Sequence, residues 1–219
     1  MDLIIIVVVA FILYGFFKRR TLLKQVNVFN QLLYIEKSPE KYIDEVDKLL
    51  RKMTTEKEKH INLIQKTTGL LYAGRFNESI QILTDEVKKI PPNWQHVYYH
   101  NLILSHFFNG EIDKGNEILE EATDVLNEYA KRDSNKKAIE FIYAIADFYN
   151  GKGESRIEFF KDLTEIGRNE YRIAFGYYFL GKIYEQENKD EESVAYLEKA
   201  RYYGKGSFLE QFSRDFDKL

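Results

Sequence analysis

The stretch YYFLGKIYEQENKDEESVAYLEKA, residues 177–200, decides how the rest of the chain is read. Tyr177, Leu180, Gly181 and Tyr184 recur at the spacing of one helix face. A polar run follows, and then Ser193, Leu197 and Ala200 take up the same spacing. The pattern predicts helix, short turn, helix. Gly181 and Ser193 are small, so two antiparallel helices can approach closely there. Tyr177, Leu180, Tyr184 and Leu197 are large and fill the seams.

Upstream the frame recurs. Residues 63–91, LIQKTTGLLYAGRFNESIQILTDEVKKIP, carry Leu63, Thr67, Leu70, Gly74, Phe76, Ser79, Leu83 and Pro91 in matching positions. The next unit carries Tyr99, Leu102, Gly110, Ile112, Gly115, Leu119 and Ala122. A fainter copy covers residues 139–163, where Asn150 or Gly151 marks the turn. Nearer the start, Leu22, Leu23, Val26, Phe29, Leu32 and Leu33 predict a helix within 18–37. Ser38-Pro39 reads as an N-cap with a first-turn proline, opening a helix with Tyr42, Ile43, Val46, Leu49 and Leu50 on one face. The unit starts fall near residues 26, 60, 96, 137 and 174, about 34 to 41 apart. A polar loop around AKRDSNKK, residues 130–137, accounts for the longest interval. Residues 208–219, FLEQFSRDFDKL, read as a capping helix.

These units resemble the tetratricopeptide repeat, a 34-residue helix–turn–helix reading W-x2-L-G-x2-Y, then a small residue, an aromatic or Leu, and Ala. The resemblance covers most of residues 22–219 and is fullest at 177–200. It implies an all-α fold, a right-handed α-solenoid of about five helix pairs with the C-terminal capping helix. It also implies a concave face lined by the first helix of each pair, which members of this family use to hold peptide segments. The second, fifth, ninth and twelfth positions of the frame supply that face. They give Ile64 and Thr68, then His100, Leu104 and Phe107, then Phe141 and Phe148, then Phe175, Tyr178, Lys182 and Glu185. Family members that clamp a C-terminal carboxylate place several Lys, Arg and Asn here, and only Lys182 has that character. The face is apolar and aromatic. It suits an amphipathic helix or an extended hydrophobic segment, unless the capping helix itself fills it.

Composition agrees with long helices. Glycine and proline number only 12 and 3 in 219 residues, while aromatics reach 15%. The absence of cysteine excludes disulfides, thiolate metal sites and cysteine nucleophiles. The net charge is −3, and the first twenty residues carry Asp2 against three cations, so residues 21–219 carry −5. An acidic body disfavours binding to phosphate backbones.

Residues 3–17, LIIIVVVAFILYGFF, are apolar throughout and end at Lys18, Arg19 and Arg20. As a helix they span about 22 Å, short for a bilayer core of about 30 Å but feasible with snorkelling and local thinning. A cleaved signal peptide is disfavoured because both the positive leading region and the small-residue cleavage site are missing. The expectation is a single-pass transmembrane anchor with basic flank, 1–20, and a repeat domain, 21–219. The cations after the span place the N-terminus outside and the repeats in the cytoplasm. The Lys- and Ile-rich composition favours a bacterium.

Candidate chemistry is sparse. His96 and His100 are spaced i, i+4, but there is no HExxH, and His106 falls on another face. Glu120-Glu121 and the acidic run 190–192 read as solvated faces or first-turn charge. GKGES, residues 151–155, lacks the spacing of a phosphate loop. No catalytic, cofactor or metal residue is expected. The function expected is a non-enzymatic, membrane-tethered adaptor for a protein or peptide partner, with no nucleic acid; the partner could be another membrane protein. A helical-repeat RNA binder, or an enzyme with a site in the groove, remains as the alternative.

Overall fold

The computed structural model describes residue 20, residues 23–165 and residues 169–212. Among the described residues the chain is helix and turn, with no strand. The apolar segment 3–17, Lys18, Arg19 and the end of the capping helix lie outside them. Arg20 is helical and exposed. No described helix is long and apolar enough to cross a membrane.

Helix α1 covers 23–30 and closes in a wider π turn, Gln31–Ile35. After the turn at Lys37, Pro39 opens α2, Pro39–Leu50, where a missing N–H costs nothing. Thr55 caps α3, Glu56–Ala73, by accepting a bond from the Glu58 N–H. Gly74 ends α3 in the left-handed region at φ 76°, and α4, Phe76–Gln81, runs into a π turn, Ile82–Glu86. Then come α5, Gln95–Phe108, and α6, Ile112–Ala130. Next is α7, Asp133–Asp147, whose π turn breaks at Asn150 and Gly151. The chain continues through α8, Ile157–Glu165, α9, Glu170–Gln186, α10, Asp190–Tyr203, and the short α11, Phe208–Phe212.

Two expected boundaries move. Residues 130–137 are not a loop, because α6 reaches Ala130 and α7 begins at Asp133. The break is confined to Lys131 and Arg132, where Arg132 is extended, and Asp133 suits the first turn of α7. The extra length of the unit lies in the long α6 instead. Pro91, at the place where the tetratricopeptide frame often ends its second helix, does not end one here. The π turn stops at Glu86, and buried Val87 leads an extended strand of chain to a single 3-10 turn, Pro92–Trp94.

Most helices pack on those one or two places along the chain. The pair α9 and α10 packs most extensively, and Gly181 shows why. A Cβ there would stand 2.7 Å from Leu197 Cγ and 3.2 Å from Ser193 O, so any larger residue would drive the helices apart. The first members of successive pairs also touch: α3 lies on α5, and α5 on α7. Buried polar bonds tie neighbouring helices together. Ser105 Oγ donates to Ser79 Oγ at 2.9 Å, and the Tyr98 hydroxyl donates to Leu83 O at 3.2 Å.

The core is a long aromatic cluster from Ile43 to Leu209, with a smaller one made by Phe29, Leu33, Tyr42, Val46 and Tyr171. That smaller cluster joins the first helices to α9. Tyr34 meets Tyr171 edge-on at 6.4 Å, and Lys37 forms an ion pair with Glu170 and donates to Tyr203 O at 3.4 Å. The two ends of the described chain therefore meet. Helix α11 fills the space they enclose. Phe208 lies 5.0 Å from Phe76, 5.2 Å from Phe108 and 5.9 Å from Phe175.

Candidate functional site

A cavity of about 330 Å³ lies among α3, α5, α7, α9 and the π turn that closes α1. Leu104 from α5 and Leu71 from α3 form its apolar floor. Phe141 and Phe175 meet edge-on at 5.1 Å, and Tyr72 stands 6.2 Å from Phe175. Phe175 faces the cavity and also touches Phe208, so its ring separates the cavity from the half that α11 occupies.

Asn101 fixes the polar wall. It is 1% exposed, and its amide donates to Thr67 Oγ1 at 3.0 Å and Thr68 Oγ1 at 2.9 Å, with Ile64 O at 3.4 Å. Its Oδ1 is left to accept, and His100 Nδ1 lies 3.1 Å away. The His100 proton therefore sits on Nδ1, and Nε2 is an acceptor. Burial first, and then the charges of Arg172 and His96, push His100 down to about 4 despite this bond. The imidazole is neutral at physiological pH. Burial raises the Tyr34 and Tyr72 phenols, and the same guanidinium opposes that shift in both.

Arg172 is the exposed member of the lining, at the cavity mouth. It and Lys137 are its ionised side chains, and no carboxylate lines the cavity. Among the described residues no carboxylate forms an ion pair with Arg172 or Lys137 (neighbouring pairs are Arg156 with Asp147 and Lys182 with Glu185).

Of the residues expected on the face, Thr68, His100, Leu104, Phe141 and Phe175 line this cavity. Ile64, Phe107, Phe148 and Tyr178 do not. They are buried in the core; Phe107 stacks on Tyr149 at 5.5 Å, and Tyr178 approaches Phe212 at 6.3 Å. Lys182 and Glu185 pair with each other near the far end of α9. Tyr34, Tyr72, Asn101 and Arg172 line the cavity without having been expected. Leu71, Val97 and Ala138 also line it; they were not named on the expected face, although they stand at its twelfth, second and second frame positions.

His96 and His100 both line the cavity, but His106 does not join them. His96 stacks on Tyr129 at 4.4 Å, with burial first and then Arg132 lowering its pKa, while His106 Nδ1 meets Glu111 at 2.6 Å. No group of three His, Asp or Glu able to hold a metal occurs among the described residues.

Fold and site thus define an all-helical protein whose first-of-pair helices share one aromatic cavity. No family model, curated protein or solved structure matches the chain.

Proposed function

We propose that this chain is a non-enzymatic adaptor built from tetratricopeptide-like helix pairs and tethered to a membrane, where it holds a protein partner on the cytoplasmic side. The observation that carries this reading is the convergence of α3, α5, α7 and α9 on one cavity. Five positions taken from the repeat frame, Thr68, His100, Leu104, Phe141 and Phe175, line it. The contacts of α3 with α5 and of α5 with α7 support a stacked array of pairs. The ion pair of Lys37 with Glu170 brings the first helices against α9, which fits a tightly curled array better than an open one.

The tether rests on residues 3–17 and the cations Lys18, Arg19 and Arg20. Leu23, Val26, Val28 and Ile35 on α1 are exposed, which adds apolar surface close to that tether. Anchoring would raise the effective concentration of any partner in the same membrane.

Photo-crosslinking side chains placed at Thr68 and Phe141 test the reading in living cells. A discrete protein adduct is expected, formed by an extended segment of the partner that reaches these walls. If neither position captures a protein, the adaptor reading fails.

A further inference from the structure

The cavity itself is too narrow for a helix, whose diameter with side chains is about 10–12 Å. At about 330 Å³ it stands at the small end of the range of ligand pockets. Its polar wall is also spoken for on one side only. Asn101 spends its amide on α3 and its oxygen on His100, whereas the guanidinium at the mouth has no carboxylate partner among the described residues. In a chain of net charge −3, the ionised lining groups are both cations.

We propose that the cavity binds a small free carboxylic acid with an aromatic or short alkyl body, its carboxylate held by Arg172 and its apolar end between Tyr72, Phe141 and Phe175. This goes beyond the adaptor reading and does not rest on it.

The assignment follows from matching each wall to a part of the ligand. A guanidinium presents a planar fork of N–H donors that fits two carboxylate oxygens. Lys137 adds a second positive charge on the α7 side. The aromatic walls meet edge-on and tilted, an arrangement that accepts a further ring or alkyl chain without a polar partner. Neutral His100 contributes no charge and keeps an Nε2 acceptor, which a hydroxyl on the ligand body would satisfy. A dianion or a sugar is disfavoured, because the floor at Leu71 and Leu104 offers nothing to hydrogen-bond. Phe175 sets the depth, since beyond it the space belongs to Phe208.

The test uses the full chain in lipid nanodiscs with 3-(4-fluorophenyl)propionate as probe, read by fluorine NMR. Empty nanodiscs and the matching neutral amide are run beside it. Saturable binding is expected for the acid at about 1 mM or below, and not for the amide or the empty discs. Arg172→Gln should weaken binding about tenfold, because it removes a charge-assisted fork at an exposed position. Ala138→Met, which fills the cavity from α7, should abolish binding while the helical circular dichroism stays unchanged. The proposal is overturned if the acid shows no saturable binding, if the amide binds as well, or if Arg172→Gln binds within about twofold of the parent. It is also overturned if a short peptide ending in Phe binds where the free acid does not, since the occupant would then be a protein tail. Crosslinking to a partner is a separate readout, so either reading can fail alone.

Discussion

Replacing Phe208 by alanine asks whether α11 belongs to the core or merely rests on it. Phe208 is 3% exposed, and its ring lies 5.0 Å from Phe76, 5.2 Å from Phe108, 5.9 Å from Phe175 and 5.1 Å from Phe212. One side chain thus joins α4, α5, α9 and α11. The wall opposite its Cβ is Gly74, held at φ 76°, where an added Cβ would come within 2.8 Å of Phe208. Alanine keeps the Cβ beside Gly74 but empties the volume among the Phe76, Phe108, Phe175 and Phe212 rings, whose own packing limits how far they can fill it. Phe→Ala at such a site costs about 3–5 kcal/mol. That is a large share of a total stability of about 5–15 kcal/mol. For a chain of this size each kcal/mol moves the melting temperature by about 2–4 °C, so a fall of about 6–20 °C is expected. Thermal unfolding of the full chain followed by circular dichroism reads this directly, with amide hydrogen exchange across α11 beside it. The reasoning is refuted if exchange at 208–212 rises while the melting temperature stays within about 1 °C. That outcome would make α11 a detachable tail and the enclosed core independent of it.

Three further outcomes follow from particular residues. His100 is held near 4 by burial, against about 6.5 when unfolded, so between those values the unfolded chain binds a proton that the folded chain refuses. Its contribution is intact above about pH 6.5 and falls by about 2 kcal/mol between pH 7 and pH 5; urea midpoints at the two pH values should therefore differ less in His100→Gln than in the parent. Gly181→Val puts a branched side chain where Leu197 Cγ would stand 2.7 Å from its Cβ. A loss of about 1–3 kcal/mol is expected, partly recovered by adding Leu197→Ala, and a simple sum of the two single losses would contradict the contact. Tyr202 is 74% exposed, and the chain has no cysteine, so Tyr202→Cys is a single reporter of sidedness. An impermeant maleimide should label it only after lysis, and labelling in intact cells would overturn the cytoplasmic orientation.

Local structure was legible in the sequence wherever a turn demanded a special residue. Ser38-Pro39, Gly74, Gly110 and Asn150-Gly151 each stand at a helix boundary, because proline, glycine and asparagine restrict or permit backbone angles that other residues do not. The boundary at 130–137 was misread because polarity alone does not break a helix. The cavity was half legible, for a geometric reason. In the pair starting near 60 it is lined by Thr68 and Leu71, at the ninth and twelfth positions. In the next it is lined by Val97, His100 and Leu104, at the second, fifth and ninth. It reaches Ala138 and Phe141 at the second and fifth, and ends at Phe175, at the second. The lining therefore crosses the frame on a diagonal, as each pair turns relative to the one before. A one-dimensional frame assigns all four positions to every unit. It consequently over-reads Ile64 and Phe107 and the far end of α9 at Tyr178, Lys182 and Glu185.

Closure of the chain supplies what the frame lacks. Tyr72 stacks on Tyr171 and Tyr34 meets it edge-on because Lys37 and Glu170 bring the first turn of the fold against the start of α9. Arg172 lies in the first turn of α9, two residues beyond Glu170, and that contact brings it close enough to influence both tyrosines and His100. These side chains lie far apart in sequence, and no local periodicity links them. The cavity thus depends on a contact between parts of the chain far apart in sequence. A substitution that parts Lys37 from Glu170 should disturb it without touching its lining. Tyr34, in the π turn that closes α1, and Arg172, in the first turn of α9, thus reach one cavity from opposite ends of the chain.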